Sequence, residues 1–476
     1  MSSEAVAQVS EENPEKEIIK GLVEKARAAM AQFANADQAR VDEAVTALAW
    51  SIYEPARAKE LAELAVQDTG LGNVESKIMK NQRKTFGCLR DLSRVKTVGV
   101  IEEIPEKGLV KYAKPVGVVA AVSPSTNPAA TPVNKAMFAV KGRNAVIIAP
   151  SPAGLSTTTK TVNYMRAELE KIGLPADLVQ ALPAPVNKQL TQELMYAADL
   201  VIVTGSQNNV KRAYSSGTPA IGVGAGNVPV VIDETADLDD AAQKICMSKI
   251  FDNSTSCSSE NSIIILDSVY DEAIEALKRA GGYVCSPEQK EMVRDKLWVD
   301  GHLNRHVIAK DADVLVDVFG LGEGAKGHKF FMVEEGTADP DSKFIDEKLS
   351  LVLTVYRAKD MDDVVDQLNT ILNVCGIGHS VGIHTNVPEH ADRLAEEINV
   401  VRVLVNQAHT FGNGGGFNNG LNFTLSMGGG TWAGNSIDEN LNYRHFINVT
   451  NLVRTIPEDK PSEDELFGDY WGKYGK

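Results

Sequence analysis

The chain has 476 residues, 43% apolar and 24% charged, with a formal net charge of −16. Its length allows two to four domains with large cores. The acidic balance excludes nucleic acid and anionic membranes as partners, which call for clustered Lys and Arg. A local pocket can still take an anion.

The leader MSSEAVAQVSEENPEKE is acidic and has neither the basic start nor the apolar stretch of a signal peptide. No apolar run has the length of a membrane span, so the expected location is the cytoplasm. Cys88, Cys246, Cys257, Cys285 and Cys375 are odd in number and widely spread, and no CxxC occurs. Neither a disulfide framework nor a zinc knuckle is expected.

Ile18, Ile19, Leu22, Val23, Ala26, Met30 and Phe33 recur at helical spacing, and helical patterns run on to about Lys80. Val98 to Pro115 reads as a β-hairpin around Pro-Glu-Lys-Gly, with edges suited to an oligomer interface. From Val116 short apolar runs (VGVVAAV, AVIIAP, LVQAL, LVIVTG, VPVVID) alternate with helical stretches. This is the pattern of a parallel sheet covered on both faces, a doubly wound α/β architecture of nucleotide-binding type. A second α/β unit follows, with strands SIIIL (Ser262 to Leu266), Leu351 to Tyr356 and Val401 to Asn406. Its helices fall near Asp271–Ala280, Pro287–Leu297, Asp362–Asn373 and Pro388–Ile398. The expected divisions are 1–236 with the hairpin 97–115, then 237–425, then a C-terminal loop, strand and tail over 426–476. Glycine-rich segments from Gly412 interleave with Phe417, Phe423, Trp432 and Phe446, which favours an ordered loop near a site. The tail EDKPSEDELFGDYWGKYGK is acidic and aromatic.

Cys257 stands alone in FDNSTSCSSE, at a loop-to-strand junction where backbone N–H groups converge. Such a thiol is either a buried structural residue or a nucleophile. In VSPSTNPAATP a buried strand ends in a polar turn, where ligands bind in doubly wound sheets. Asn127 precedes a proline, is held extended, and can donate its amide to an oxyanion; otherwise it is a turn former. Gly205 and Ser206 sit at a strand-to-helix turn suited to a pyrophosphate. Gly222, Gly224 and Gly226 do not make a GxGxxG and read otherwise as a tight turn. His302 and His306 have the spacing of a metal pair but no third ligand, and are read as an exposed helix. His379 is an acid/base or a structural residue. Glu347 stands just before a strand, where a carboxylate can hold a ribose hydroxyl.

Together SPSTNP, VTGS, AIGVGAGNVP, FDNSTSCSSE, EKLS, GIGHSVGIHT and GNSIDENLNYRHFIN resemble the CoA-acylating branch of the aldehyde dehydrogenase superfamily, from the N-terminal helices to about Val453. The resemblance implies a Rossmann-type cofactor domain, a second α/β catalytic domain and a small β oligomerisation hairpin. It implies Cys257 as nucleophile, Asn127 as oxyanion donor and His379 in proton transfer. It places NAD or NADP against Ser123, Pro124, Ser125, Thr126, Ser151, Pro152, Gly205, Ser206, Gly224, Glu347 and Leu349, with coenzyme A as co-substrate and no metal. Hydrolytic relatives carry a water-activating Glu in ELGGKSP; here VGAGNVP puts Val223 in its place, which favours an external thiol as acyl acceptor. No carboxylate occurs near Ala153 to repel a 2′-phosphate, so NADP is expected to be tolerated. The polar segment VNQAHTFGNGGGFNNGLNFTLSMGGG, with His409 and Thr424, and then Arg444, implies a small anionic aldehyde. Sulfoacetaldehyde, giving sulfoacetyl-CoA, is favoured over succinate semialdehyde. A catalytically inactive scaffold of the same fold is the remaining alternative. A homodimer or homotetramer is expected.

Overall fold

The computed structural model describes residues 13–476; the first part of the acidic leader lies outside the described residues. Four helices open the chain: α1 (Pro14–Phe33), α2 (Gln38–Tyr53), α3 (Pro55–Thr69) and α4 (Val74–Ser93). Asn13, Asp37, Glu54 and Asn73 cap them with side-chain acceptors, satisfying N–H groups that a helix start leaves free. The helical pattern therefore extends past Lys80 to Ser93.

The hairpin is present as β1 (Gly99–Ile104) and β2 (Leu109–Pro115). The first sheet follows, built from β3 (Val118–Val122), β4 (Ala145–Ala149), β5 (Val179–Ala181), β6 (Leu200–Thr204) and β7 (Ala220–Val223). Its spatial order is β5-β4-β3-β6-β7, all parallel. The intervening helices are α5 (Ala130–Lys141), α6 (Leu155–Lys171), α7 (Lys188–Ala197) and α8 (Gln207–Tyr214). Every residue of β3 and β4 is buried, as a sheet covered on both faces requires.

VPVVID departs from the expected grouping. It forms β8 (Val228–Ile232), which pairs not with the first sheet but with its successor β9 (Glu260–Leu266). A strand buried on both faces carries no mark in its residues of which sheet it joins. The second sheet adds β10 (Gly282–Val284), β13 (Phe330–Gly336), β14 (Val352–Ala358), β15 (Val381–His384) and β16 (Val403–Val405), in the order β10-β13-β14-β9-β8-β15-β16, all parallel. The four expected helices are present as α10 (Tyr270–Ala280), α11 (Pro287–Leu297), α13 (Met361–Val374) and α14 (Pro388–Glu397), and two more, α9 (Leu238–Ile250) and α12 (Ala312–Phe319), join them.

HLNRH is not a helix. Trp298–Val299 (β11) and His302–Leu303 (β12) form a short hairpin, and His306 lies in the turn beyond. The signal was Asp300-Gly301, both at positive φ (51° and 77°), a dipeptide that favours two-residue hairpin turns. At the C-terminus a single helical turn, α15 (His409–Gly412), precedes the glycine-rich loop; β17 (Ile447–Val453) then joins β2 in a three-stranded antiparallel sheet. The aromatic tail is an exposed helix, α16 (Glu463–Tyr474).

Candidate active site

Two sheet edges meet at the site. Asn127 follows β3, so it stands at the C-terminal edge of the first sheet; Cys257, Glu347 and His379 precede β9, β14 and β15, at the N-terminal edge of the second. Residues set at these strand ends come from distant parts of the chain, Asn127 being more than a hundred positions from Cys257.

A cleft of about 810 Å³ opens at the C-terminal edge of the first sheet. Ser123, Pro124 and Ser125 line it after β3, Pro150, Ser151 and Pro152 after β4, and Gly205 and Ser206 after β6. It straddles β3 and β6, the point where strand order reverses, which is where doubly wound sheets bind nucleotides. Lys188, Lys211 and Arg212 line it and no carboxylate does, so this wall is electropositive. Thr126 lies apart, in a small pocket beside Asn127, Lys77 and Lys80.

Cys257 occupies a turn held under strain. Asp252, Asn253 and Ser254 have consecutive positive φ values of 51°, 52° and 61°, left-handed backbone that non-glycine residues adopt at a cost. Buried contacts hold them there. The Asp252 carboxylate accepts from Lys80 (2.6 Å), Lys77 (3.1 Å), Thr255 (2.7 Å) and the Asn73 backbone N–H (3.0 Å). Lys77 also donates to the Thr126 carbonyl at 3.0 Å, beside Asn127. The same ammonium thus ties the Cys257 loop to the Asn127 loop. Burial drags Lys77 down to about 8 against the pull of Asp252. Burial would raise Asp252, but the Lys80 and Lys77 charges leave it below the usual carboxylate range.

Gly226 completes the turn. A Cβ there would stand 2.2 Å from the Cys257 carbonyl oxygen, so the weak glycine run of the sequence is a close passage against the Cys257 backbone. The Gly226 N–H also serves the Glu347 carboxylate, whose pKa burial raises to about 8. Burial, then Glu347, pushes the Cys257 thiol up to about 12, opposed by Arg402. The thiol therefore rests protonated until a base takes its proton. Asn127 is nearly uncommitted: its amide makes only a 3.5 Å contact to Thr126, and its Oδ1 has no partner.

His379 is buried, and its Nδ1 and the Nε2 of His409 both contact the Ser380 hydroxyl, at 2.8 and 2.9 Å. Its own Nε2 has no partner. Burial, then the Arg402 charge, holds His379 well below the ordinary imidazole range, so it is neutral. Arg402 donates to the His379 and Gly428 carbonyls, both at 2.8 Å, and to Asn440 at 3.2 Å. Thr424 is buried and contacts Asn134 at 3.5 Å, on the glycine-rich loop whose Asn413 donates to Ser258 at 2.9 Å. Leu349 has positive φ (44°) and Gly224 packs against Gln207.

Arg444 does not join this group. It is exposed on the short helix Tyr443–Phe446, beside Tyr443 and Glu439. That helix leads into β17 and packs on α5, so chain proximity to the glycine-rich loop did not carry the side chain inward. Lys77, Lys80, Lys84, Asp252, Ser380 and Arg402 were not foreseen. Their one trace in sequence is a helix with lysines at 77, 80 and 84, whose opposite face carries Met79 and Phe86.

A strained thiol loop, an uncommitted amide and a cleft at the carboxyl edge of a doubly wound sheet are together the parts that an aldehyde-oxidising oxidoreductase requires. Residues 1–284 match the aldehyde dehydrogenase family. A sulfoacetaldehyde dehydrogenase (acylating) of Cupriavidus necator is 50% identical over 461 residues, 97% of this chain and 94% of that protein. A succinate-semialdehyde dehydrogenase (acetylating) of Clostridium kluyveri is 39% identical over 452 residues, 94% of this chain and 99% of that one. The crystal structure of an acetylating aldehyde dehydrogenase from Geobacillus thermoglucosidasius superposes with a TM-score of 0.90 at 33% identity, covering 94% of this chain and 99% of that chain. The chain belongs to the aldehyde dehydrogenase family.

Proposed function

We propose that the protein oxidises sulfoacetaldehyde to sulfoacetyl-CoA with NADP or NAD. The likeness to the Cupriavidus necator enzyme supports the substrate, at 50% identity against 39% for the succinate-semialdehyde enzyme. The Cys257 thiolate attacks the aldehyde carbon. The Asn127 amide and the Cys257 backbone N–H stabilise the oxyanion. The nicotinamide, when bound, accepts a hydride from that adduct. An acyl thioester then remains on Cys257 and passes to the coenzyme A thiol, returning the enzyme thiol.

The observation that carries the acylating outcome is Val223, buried at the end of β7 where hydrolytic relatives place a water-activating carboxylate. The carboxyl whose charge reaches Cys257 is Glu347, and it is engaged by the Gly226 N–H. An ionised thiol needs no such base. Lys188, Lys211 and Arg212 support NADP alongside NAD. The sheet β1-β2-β17 supports a homodimer or homotetramer: β17 is an edge strand with Val449 and Val453 exposed on one face and Leu452 on the other, an uncovered edge that a second copy would cover. The enzyme is read as cytoplasmic; no described helix is long and apolar enough to cross a membrane.

The test is NADP reduction with sulfoacetaldehyde, succinate semialdehyde and acetaldehyde, each with and without coenzyme A. CoA-dependent turnover with sulfoacetaldehyde as best substrate is expected. Equal turnover without coenzyme A would overturn the acylating reading, and preference for succinate semialdehyde would overturn the substrate.

A further inference from the structure

Helix α4 buries a stripe of lysines next to its core residues Cys88 and Leu92. It buries Lys77, Lys80 and Lys84 and exposes Met79 (48%) and Phe86 (51%). Burying an ammonium is costly unless it is paired, and a helix that breaks the apolar-inward rule three times along one stripe calls for a reason. Pairing supplies part of it. Lys77 and Lys80 share the single carboxylate of Asp252. Lys84 has no carboxylate partner among the described residues; its ammonium donates to the Gly414 carbonyl at 2.8 Å and lies over the Phe423 ring. The buried face therefore holds more positive than negative charge.

That surplus lies along the nucleophile's loop. Lys77 and Lys80 grip it at Asp252, ahead of Cys257. Lys84 meets it at the other end: the carbonyl it holds is that of Gly414, next to Asn413, which donates to Ser258, the residue after Cys257. Met427 and Thr424 stand beside the same spot, within 3.5 Å of a Cβ placed on Gly414. A sulfonated aldehyde carries its anion two bonds from the carbon that Cys257 attacks, so its partner must stand beside the nucleophile.

We propose that the lysine face of α4 receives the anionic group of the aldehyde, with the Lys84 ammonium as its direct partner. This deepens the proposed function and rests on its reading of an anionic substrate. Burial, with Arg83 and Lys80, drags Lys84 down to about 7, and only Cys257 pulls the other way; such a cation lacks a counter-charge that a bound sulfonate would supply. The position is missed by Arg444, which is exposed.

The test compares kcat/KM for sulfoacetaldehyde, succinate semialdehyde and propionaldehyde in the full-length protein, its Lys84→Gln variant and its Lys84→Arg variant. Isethionate, an unreactive sulfonate, is used as inhibitor against propionaldehyde. Lys84→Gln is expected to cut the preference for the anionic over the neutral aldehyde by about thirtyfold, the scale of a lost charged hydrogen bond, and to weaken isethionate inhibition alike. Lys84→Arg is expected to restore part of both. A Lys84→Gln protein with native melting that keeps its preference and its isethionate inhibition would overturn the proposal. If Lys84→Gln does not fold, Lys84→Met decides by the same readouts, since an unchanged preference and inhibition constant without any cation at position 84 would place the anion elsewhere. A wild-type preference for succinate semialdehyde would overturn the sulfonate reading alone, and the Lys84 assignment would stand if Lys84→Gln removed that preference.

Discussion

At the scale of single residues, the site pairs a high-pKa thiol with an unoccupied amide. Because burial and Glu347 lift Cys257 to about 12, its thiolate fraction at neutral pH is small and grows about tenfold per pH unit. Iodoacetamide labelling of Cys257 in the free enzyme, read by mass spectrometry, is expected to be slow at pH 7 and to rise steeply with pH. The slope should flatten above pH 8, where the ionised Glu347 opposes the thiolate further. Rapid, pH-independent labelling would show the thiolate already formed. His379 offers a free Nε2, and burial with the Arg402 charge disfavours its protonated form, so it is built to relay a proton and not to hold one. His379→Asn is expected to lower turnover about a hundredfold and to remove a limb of the pH–rate profile; an intact profile would leave it a structural residue. Its other nitrogen is fixed by Ser380, a detail that sequence spacing does not reveal.

At the scale of elements, α4 fastens two loops. Its Lys77 reaches both Asp252 and the Thr126 carbonyl, so the helix sets how the Cys257 loop faces Asn127. The three left-handed residues that precede Cys257 persist because this contact set holds them. Asp252→Asn would leave two buried ammonium groups without a counter-charge, and is expected to cost about 3–5 kcal/mol in chemical unfolding. Lys77→Met keeps one ion pair, Lys80 with Asp252, and releases the Thr126 loop. It is expected to lower kcat more than it raises KM; the reverse split would mean that Lys77 serves binding alone. In the nucleotide cleft, α7 and α8 carry Lys188, Lys211 and Arg212. Lys211→Glu is expected to raise KM for NADP several-fold more than KM for NAD.

At the scale of the whole molecule, the candidate site is shared between the carboxyl edge of one sheet and the amino edge of another. The first brings a nucleotide cleft at its carboxyl edge, and the second brings Cys257, Glu347 and His379 at its amino edge. Apolar surface is left over away from this seam. Val449, Leu452 and Val453 on β17, and Leu466, Phe467, Tyr470 and Tyr474 on α16, are exposed, apolar side chains of the kind that association covers. Leu452→Glu is expected to reduce the particle mass in multi-angle light scattering. An unchanged mass would place the contact between copies elsewhere.

Much of this was readable from residue order. Periodicity located α10, α11, α13 and α14 within a residue or two, and unbroken β-branched runs marked the parallel strands, because helix and strand spacing are local properties of the chain. Cys257 and Asn127 were legible because each sits in a polar break after or before such a run. Sheet membership was not legible: VPVVID reads the same in either sheet, and long-range pairing put it in the second. Nor was the direction in which side chains point. Arg444 lies near the glycine-rich loop in the chain and faces solvent, while three lysines of an ordinary-looking helix face inward beside the nucleophile. Charge burial is settled by what packs around a group, and the partners that make it tolerable here, Asp252, Thr126 and Gly414, come from segments far from α4 in sequence.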